Sequence, residues 1–244
     1  MGQNISRYFS NTLLAESTDL AAGRLLGASF VHKFGAVPAM SQNQSGSIWD
    51  INDTNYPWSA FDTAGVLTIP AVNVSDNGNI INVYGLDENY NEINEFFTVS
   101  SSGTTTGTKT FKRVYRAFDT TGTNAGNINI QRSGVTIARI TAGKAQTLMA
   151  IYTVPKGKRA YIMQGSCTCA AGADATGDMF VRYIGQTSFR VGHSFEVSGA
   201  GGQYFYPFSV PIEIPEKSDI DIRATVRSNN ARVTAAFDII LTNK

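Results

Sequence analysis

Few residues of this 244-residue chain could ligate a metal through nitrogen or sulfur, or act as a catalytic histidine or cysteine. There are two histidines, His32 and His193, and two cysteines, Cys167 and Cys169. Structural zinc sites take four such ligands, usually as cysteine pairs two to four residues apart. Here one residue separates the cysteines, and the histidines are remote from them. His193 shares its predicted strand face with large apolar side chains, which indicates a packed structural histidine. The spacing therefore predicts no metal site.

The two cysteines are also poorly placed to form a disulfide bond. Cys167 and Cys169 are two residues apart, so both point to one face of a strand. A bridge between them would be strained, and the sequence has no third cysteine. We expect free thiols, as in a reducing compartment, and a fold that depends on its core and its assembly rather than on crosslinks.

No catalytic motif is present in the sequence. It contains no G-x-S-x-G elbow and no Walker loop, and Gly199-x-Gly201-Gly202 joins two predicted strands as a hairpin tip rather than opening a helix. Asp87, Asn89 and Asn91 imitate the start of a calcium loop, but Glu92 occupies the position that requires glycine. A carboxylate pair for glycoside hydrolysis stays open, because its separation is a three-dimensional property. We predict a non-enzymatic protein without a cofactor.

Three aromatic residues near the N-terminus could form a ligand platform. Trp49, Tyr56 and Trp58 are close in sequence within a loop-rich region. They could stack against a sugar if they are exposed, or anchor the loop over a sheet end if they are buried. We favour packing, because large aromatic side chains are usually buried.

Charge and composition exclude some partners. The chain has 20 basic and 19 acidic residues, a formal net charge of +1, and 16% charged residues, below the usual level of roughly 25%. This balance gives no electrostatic footprint for nucleic acid or for an anionic membrane. The N-terminus lacks a signal-peptide pattern, and no apolar run is long enough to span a bilayer. We expect no nucleic-acid and no membrane partner.

The elements that must position these residues are short strands. Alternating segments with turn-rich connectors recur from Val66 to the C-terminus, and helical periodicity is absent. The pattern predicts an all-β fold with two consecutive β-sandwich modules, of which the C-terminal one is jelly-roll-like. We predict an N-terminal arm over 1–27, a first module over 28–133 and a second over 134–244. Ser17-Thr18-Asp19 could cap a short helix in the arm.

One stretch, 204–226, is especially regular. Its first strand alternates from Tyr204 to Ile214, and its three prolines, Pro207, Pro211 and Pro215, share one parity. Their missing N–H donors lie along a single strand edge, so we predict that this strand lies at the edge of a sheet. In the next predicted strand, 219–226, the isoleucine side chains should point into the core. In the last strand the alternate residues from Val233 to Leu241 should do the same.

Several strings of residues resemble a known protein family. These are the segments 32–35, 49–50 with 56–57, 85–93, 124–128, 143–155 and 212–223, which read HKFG, WD with YP, GLDENYNEI, NAGNI, GKAQTLMAIYTVP and IEIPEKSDIDIR. Together they are similar to virion structural proteins of tailed bacteriophages, especially marine podovirus-like phages. The resemblance runs from about residue 28 to the end. It implies a non-enzymatic part of the particle that is built from β-sandwiches.

This resemblance leads to a functional hypothesis with two rivals. We expect a capsid decoration or cement protein that binds the major capsid protein and itself, as a homotrimer or another cyclic oligomer, in virions assembled in a bacterial cytoplasm. The first alternative is a tail, portal-vertex or fibre-associated protein that binds a receptor glycan, with Trp49, Tyr56 and Trp58 in contact with the sugar. The second is a carbohydrate-active enzyme with a catalytic carboxylate pair.

Overall fold

The computed structural model describes residues 12–51, 53–170, 172–198, 202–228 and 230–244. Regular structure there consists of one helix, α1 (Thr12–Ala21), two 3₁₀ turns and sixteen strands. The strands are β1 (Ala28–Met40), β2 (Ser45–Ser47), β3 (Gly65–Ile69), β4 (Ile80–Leu86), β5 (Glu92–Thr98), β6 (Thr105–Phe111), β7 (Arg113–Asp119), β8 (Ile128–Arg132), β9 (Val135–Ile140), β10 (Ile151–Thr153), β11 (Lys158–Cys169), β12 (Ala175–Arg182), β13 (Arg190–Val197), β14 (Gln203–Ile214), β15 (Asp219–Val226) and β16 (Ala231–Asn243). The all-β fold class is confirmed.

Nine strands form a two-sheet sandwich. One sheet has the order β1-β16-β11-β14, and the other has the order β10-β15-β12-β13, with the short β2 pairing beside β10 on β15. All paired neighbours are antiparallel. If β2 and β10 are counted as one interrupted strand, the strand order is that of an eight-stranded jelly roll. Its core includes Ile162, Ile222, Val233 and Phe237.

A second module is inserted into the jelly roll between β2 and β10. Its sheets have the orders β6-β3-β8-β9 and β5-β4-β7, and they enclose a core that includes Leu67, Ile81 and Phe111. The segments through which the chain enters and leaves this module are adjacent, as shown by the Ala150 N–H, which donates to the Ile48 carbonyl at 2.9 Å. We call residues 49–149 the inserted module.

The strand pairing corrects the module boundaries of 28–133 and 134–244 that the sequence predicted. β1 and β2 belong to the jelly roll, and β9 pairs with β8 inside the inserted module. Ser133 and Gly134, taken as a module boundary, form the tight turn of the β8–β9 hairpin, with φ of 48° and 79°. Two successive positive φ angles are typical of a hairpin turn that matches the twist of its strands.

The edge strand and the final strand follow the sequence pattern. β14 lies at the edge of its sheet, as its prolines predicted. Its register against β11 shifts between Ile212 and Pro207, so the residues between them bulge away from the ladder. In β16 the predicted inward residues from Val233 to Leu241 are all buried.

The N-terminal helix begins earlier than its predicted cap. α1 ends at Ala21 and contains Ser17, Thr18 and Asp19 in its second half, so these residues do not cap it. Beyond it, Leu26 is fully exposed. The predicted arm over 1–27 is thus described only from residue 12 onward, and residues 1–11 lie outside the described residues. Among all the residues that the structure describes, no helix has the length and apolar character needed to cross a bilayer.

Candidate functional site

The histidines lie at two separate places. His32, on β1, contacts Asp238 on β16, with 2.5 Å between Nδ1 and Oδ1. His193, on β13, is half-buried and hydrogen-bonded to the Tyr204 hydroxyl. In the described part of the chain, no three His, Cys, Asp or Glu side chains converge as a metal site would require.

The cysteines lie on the inner face of β11. Cys167 and Cys169 are free and buried. Burial raises the pKa of the Cys167 thiol to about 12, which keeps it protonated and a poor nucleophile near neutral pH. Both side chains therefore serve the core.

The three aromatic residues of the proposed ligand platform are buried. Trp49 and Tyr56 are each 3% exposed and Trp58 is 7% exposed. Tyr56 packs edge-on against both tryptophans, with ring centroids 5.0 Å and 4.8 Å away. Packing, the interpretation that we favoured, is confirmed. The alternative in which these rings contact a glycan is wrong, because none of the three presents a free face.

The segment that imitates a calcium loop is a hydrogen-bonded turn. Asp87 Oδ1 accepts from the backbone N–H groups of Asn89 and Asn91, each at 2.8 Å. The Asn91 side-chain amide also donates to the other carboxylate oxygen at 3.0 Å. These contacts lower the pKa of Asp87 despite its slight burial, and they use the carboxylate to hold the turn.

An exposed apolar surface of the jelly roll lies where the edge strands β13 and β14 of its two sheets approach each other. We call His193, Tyr204, Tyr206, Phe208 and Val210 the aromatic edge. Its rings form a connected row: the His193 ring lies 5.5 Å from Tyr206 and 5.1 Å from Phe208. The row fills the gap between the two sheets, since Tyr204 also stacks on the core residue Phe195 at 5.3 Å.

Two members of the aromatic edge keep much of their side-chain surface exposed to solvent. Val210 is 79% exposed and Tyr206 is 45% exposed. Nearby on β14, Phe205 is 55% exposed and points to the opposite face of its sheet. A contiguous apolar patch with rigid aromatic side chains is typical of a protein–protein contact surface. The sequence predicted both the edge strand and its inner face, and Tyr204 and Phe208 do pack against the core. It did not predict that Tyr206 and Val210 on the same strand would stay exposed.

A buried ion cluster fixes the inserted module to the jelly roll. Arg113 on β7 donates to both oxygens of Asp219 on β15, at 2.8 Å and 3.0 Å. Arg182 on β12 donates to the same carboxylate at 2.6 Å and 3.0 Å, and the Thr153 hydroxyl does so at 2.6 Å. The Asp219 side chain is only 3% exposed. We call Arg113, Asp219 and Arg182 the joint.

A second carboxylate lies beside the joint. Asp221 accepts from the Trp58 indole N–H at 3.0 Å and from Arg223 Nε at 2.9 Å. Burial raises the pKa of Asp221. Sequence reasoning missed this cluster, because it read 219–226 as a strand with one buried face. The signal was the Asp-x-Asp-x-Arg alternation on the other face, which the inserted module covers.

Comparisons with known proteins are sparse. No family model matches the chain, and no curated protein matches it. Among solved structures, a similar chain is that in the crystal structure of the infectious bursal disease virus VP2 subviral particle. It is 10% identical, the alignment covers 90% of this chain and 72% of that one, and the TM-score is 0.21. A likeness this slight establishes neither a shared fold nor a shared function.

Proposed function

We propose that this chain is a non-enzymatic structural protein of a tailed-bacteriophage virion, and that it decorates the outside of the capsid. The aromatic edge is the observation that carries the proposal. An exposed row of aromatic and apolar side chains on a rigid sandwich suits repeated binding to a lattice. The resemblance of the sequence to phage virion proteins and the jelly-roll fold, which viral capsid proteins share with lectins and cupins, support it by analogy.

The mechanism is mechanical. The chain binds the major capsid protein through the aromatic edge and contacts neighbouring copies through its N-terminal arm, as a homotrimer or another cyclic oligomer. It thereby bridges adjacent capsid subunits, so that binding free energy resists the internal pressure of packaged DNA. No catalysis and no cofactor take part.

The test compares two substitutions that add the same charge to equally exposed valines. Val210→Asp alters the aromatic edge, where Val210 is 79% exposed, and Val74→Asp alters the inserted module, where Val74 is 78% exposed. We expect V210D to weaken co-sedimentation with capsids that lack this protein at least about tenfold, because an aspartate in an apolar interface must be desolvated. V74D should bind like the wild type. Equal binding by both variants would overturn the assignment of the aromatic edge.

The alternative of a tail, portal-vertex or fibre-associated protein needs a different contact surface from the one expected. Trp49, Tyr56 and Trp58 are buried and cannot hold a receptor glycan. The number of copies in each particle separates the two roles, since a lattice protein is abundant and a tail or vertex protein is scarce.

A further inference from the structure

A polar cavity of about 430 Å³ lies between the inserted module and the jelly roll. Ser59, Asp62 and Tyr90 line it on one side, and residues 182–187 at the end of β12 together with Lys217 line it on the other. Its size falls in the range of small-molecule sites, which favour the boundary between modules. We call this cavity the basic cleft.

The charges that line the basic cleft do not cancel. Four cationic side chains border it, from Lys112, Arg113, Arg182 and Lys217, against two carboxylates, from Asp62 and Asp219. The chain as a whole carries a net charge of only +1. The excess positive charge is therefore concentrated here, in a concave site where it is partly shielded from water.

Two of the cations keep donors that the protein itself leaves free. Arg182 uses Nε and Nη2 on Asp219. Among the described residues, its Nη1 has no hydrogen-bond partner. Lys217 Nζ likewise makes no hydrogen bond or ion pair there and lies 5.9 Å from the centre of the Tyr90 ring. Lys112 differs, because its Nζ already donates to the Asp62 carbonyl at 2.6 Å.

The backbone of the cleft is held in an unusual conformation at two points. Tyr90 and Lys217 have φ of 65° and 61°, in the left-handed region that non-glycine residues seldom adopt. Both are anchored by main-chain bonds, since the Tyr90 carbonyl accepts from Lys156 at 2.9 Å and the Lys217 N–H donates to Val154 at 2.7 Å. Such strain persists where the surrounding structure fixes it, and it is commonest at binding sites.

We propose that the basic cleft binds an anionic sugar-sized molecule, whose carboxylate or phosphate accepts hydrogen bonds from Arg182 Nη1 and Lys217 Nζ. Tyr90 and Tyr183, both half-buried at the cleft, pack against its ring. The aromatic edge takes no part, so this site is independent of the proposed capsid contact.

The experiment titrates the purified full-length protein with small probes at low ionic strength. The probes are glucuronate, glucose 6-phosphate, inorganic phosphate and neutral glucose, and the readouts are calorimetry and tryptophan fluorescence. The fluorescence is informative because the Trp58 ring lies 5.5 Å from the Arg182 guanidinium. We expect saturable binding of at least one sugar anion and at least about tenfold weaker binding of glucose, since charge-assisted hydrogen bonds supply the affinity.

A matched pair of variants locates the site. Lys217→Met removes a free ammonium from the cleft, and Lys144→Met removes one from an exposed turn of the inserted module. K217M should weaken binding about tenfold or more, while K144M should leave it unchanged. Equal affinities of K217M and wild type, binding of glucose as tight as that of the anions, or no binding of any sugar anion would overturn the proposal. Equal affinity for inorganic phosphate and glucose 6-phosphate would overturn the assignment of a sugar-sized ligand.

Discussion

At the scale of single residues, the most unusual group is a lysine buried at the contact between the two modules. Lys33, on β1, is 4% exposed, and its Nζ donates to the Tyr115 carbonyl of the inserted module. Its burial and, next, the charge of Arg116 lower its pKa from 10.5 to about 7. Lys33 and Glu92 both line a second cavity, separate from the basic cleft, but they form no ion pair with each other.

Lys33 makes stability depend on pH in a definite direction. Between pH 7 and 10.5 the unfolded chain binds a proton at this lysine that the folded chain does not. The contribution of Lys33 to the free energy of unfolding is therefore full above pH 10.5 and is lost progressively as the pH falls to and through 7. Urea denaturation of wild type and Lys33→Met at pH 7, 8, 9 and 10 measures it. The free energy of unfolding of the wild type should rise relative to that of the variant by about 1.4 kcal/mol per pH unit. A constant difference across this range would contradict the account.

Gly35 is required for close packing rather than for flexibility. A Cβ there would lie 2.4 Å from both Ala150 N and Ile48 O, the backbone atoms of the two segments that lead out of and into the inserted module. At Gly165, on β11, the nearest such atom is 3.9 Å away. Gly35→Ala should therefore cost about 2 kcal/mol or more, whereas Gly165→Ala should change stability by less than about 1 kcal/mol. Thermal denaturation measures both, and equal effects would contradict this role for Gly35.

At the scale of elements, the N-terminal arm is the least integrated part of the described chain. α1 has few contacts beyond β1, and the residues after it, Leu25 and Leu26, are exposed. Apolar side chains left uncovered in the monomer are available to a neighbouring subunit.

Deleting residues 1–27 should thus leave the jelly roll and the inserted module folded, with a midpoint of thermal unfolding close to that of the full chain. The same deletion should weaken binding to capsids, because the inter-subunit contacts of the oligomer are lost. Circular dichroism and capsid co-sedimentation give the two readouts. Unchanged capsid binding by the folded, truncated protein would remove the arm from the mechanism.

Elements were also the scale at which the sequence was most informative. The alternation of apolar residues located β15 and β16, and the shared parity of the prolines placed β14 at an edge. For this region the sequence predicts a turn-rich connector over 100–107 and one strand over 109–115, where the structure has the two strands β6 and β7. The start of β6 is hidden because its sequence TTGTKTF has only one large apolar residue. The bulge in β14 was not predictable from parity, since it depends on how β11 pairs with it.

At the scale of the whole molecule, long-range pairing decides the architecture. β1 pairs with β16 at the far end of the chain, so the N-terminal strand closes the jelly roll around an insertion. Local pattern could not show this pairing, because it predicts elements and not their partners. The joint was hidden for the same reason: Arg113 and Asp219 are brought together only when both modules are in place.

The joint should contribute measurably to global stability. Arg113→Met removes the inserted module's side of the joint and leaves Asp219 paired with Arg182. We expect a loss of about 3 kcal/mol, because a buried charge network loses its hydrogen bonds to Asp219 and to two backbone carbonyls. Arg139→Met, at a half-buried arginine that donates to Asn129 within the inserted module, should cost less than about 1 kcal/mol. Urea denaturation compares them, and similar losses would contradict this role of the joint.

The central claim is that the chain coats a capsid lattice. The measurement that tests it most directly is quantitative mass spectrometry of purified particles, which gives the number of copies of this chain for each major capsid subunit. Decoration of the lattice predicts a ratio of the order of one copy per capsid subunit, because a lattice protein follows the symmetry of its support. A handful of copies per particle would place the chain at the tail or a unique vertex, and its absence from particles would contradict a structural role in the virion.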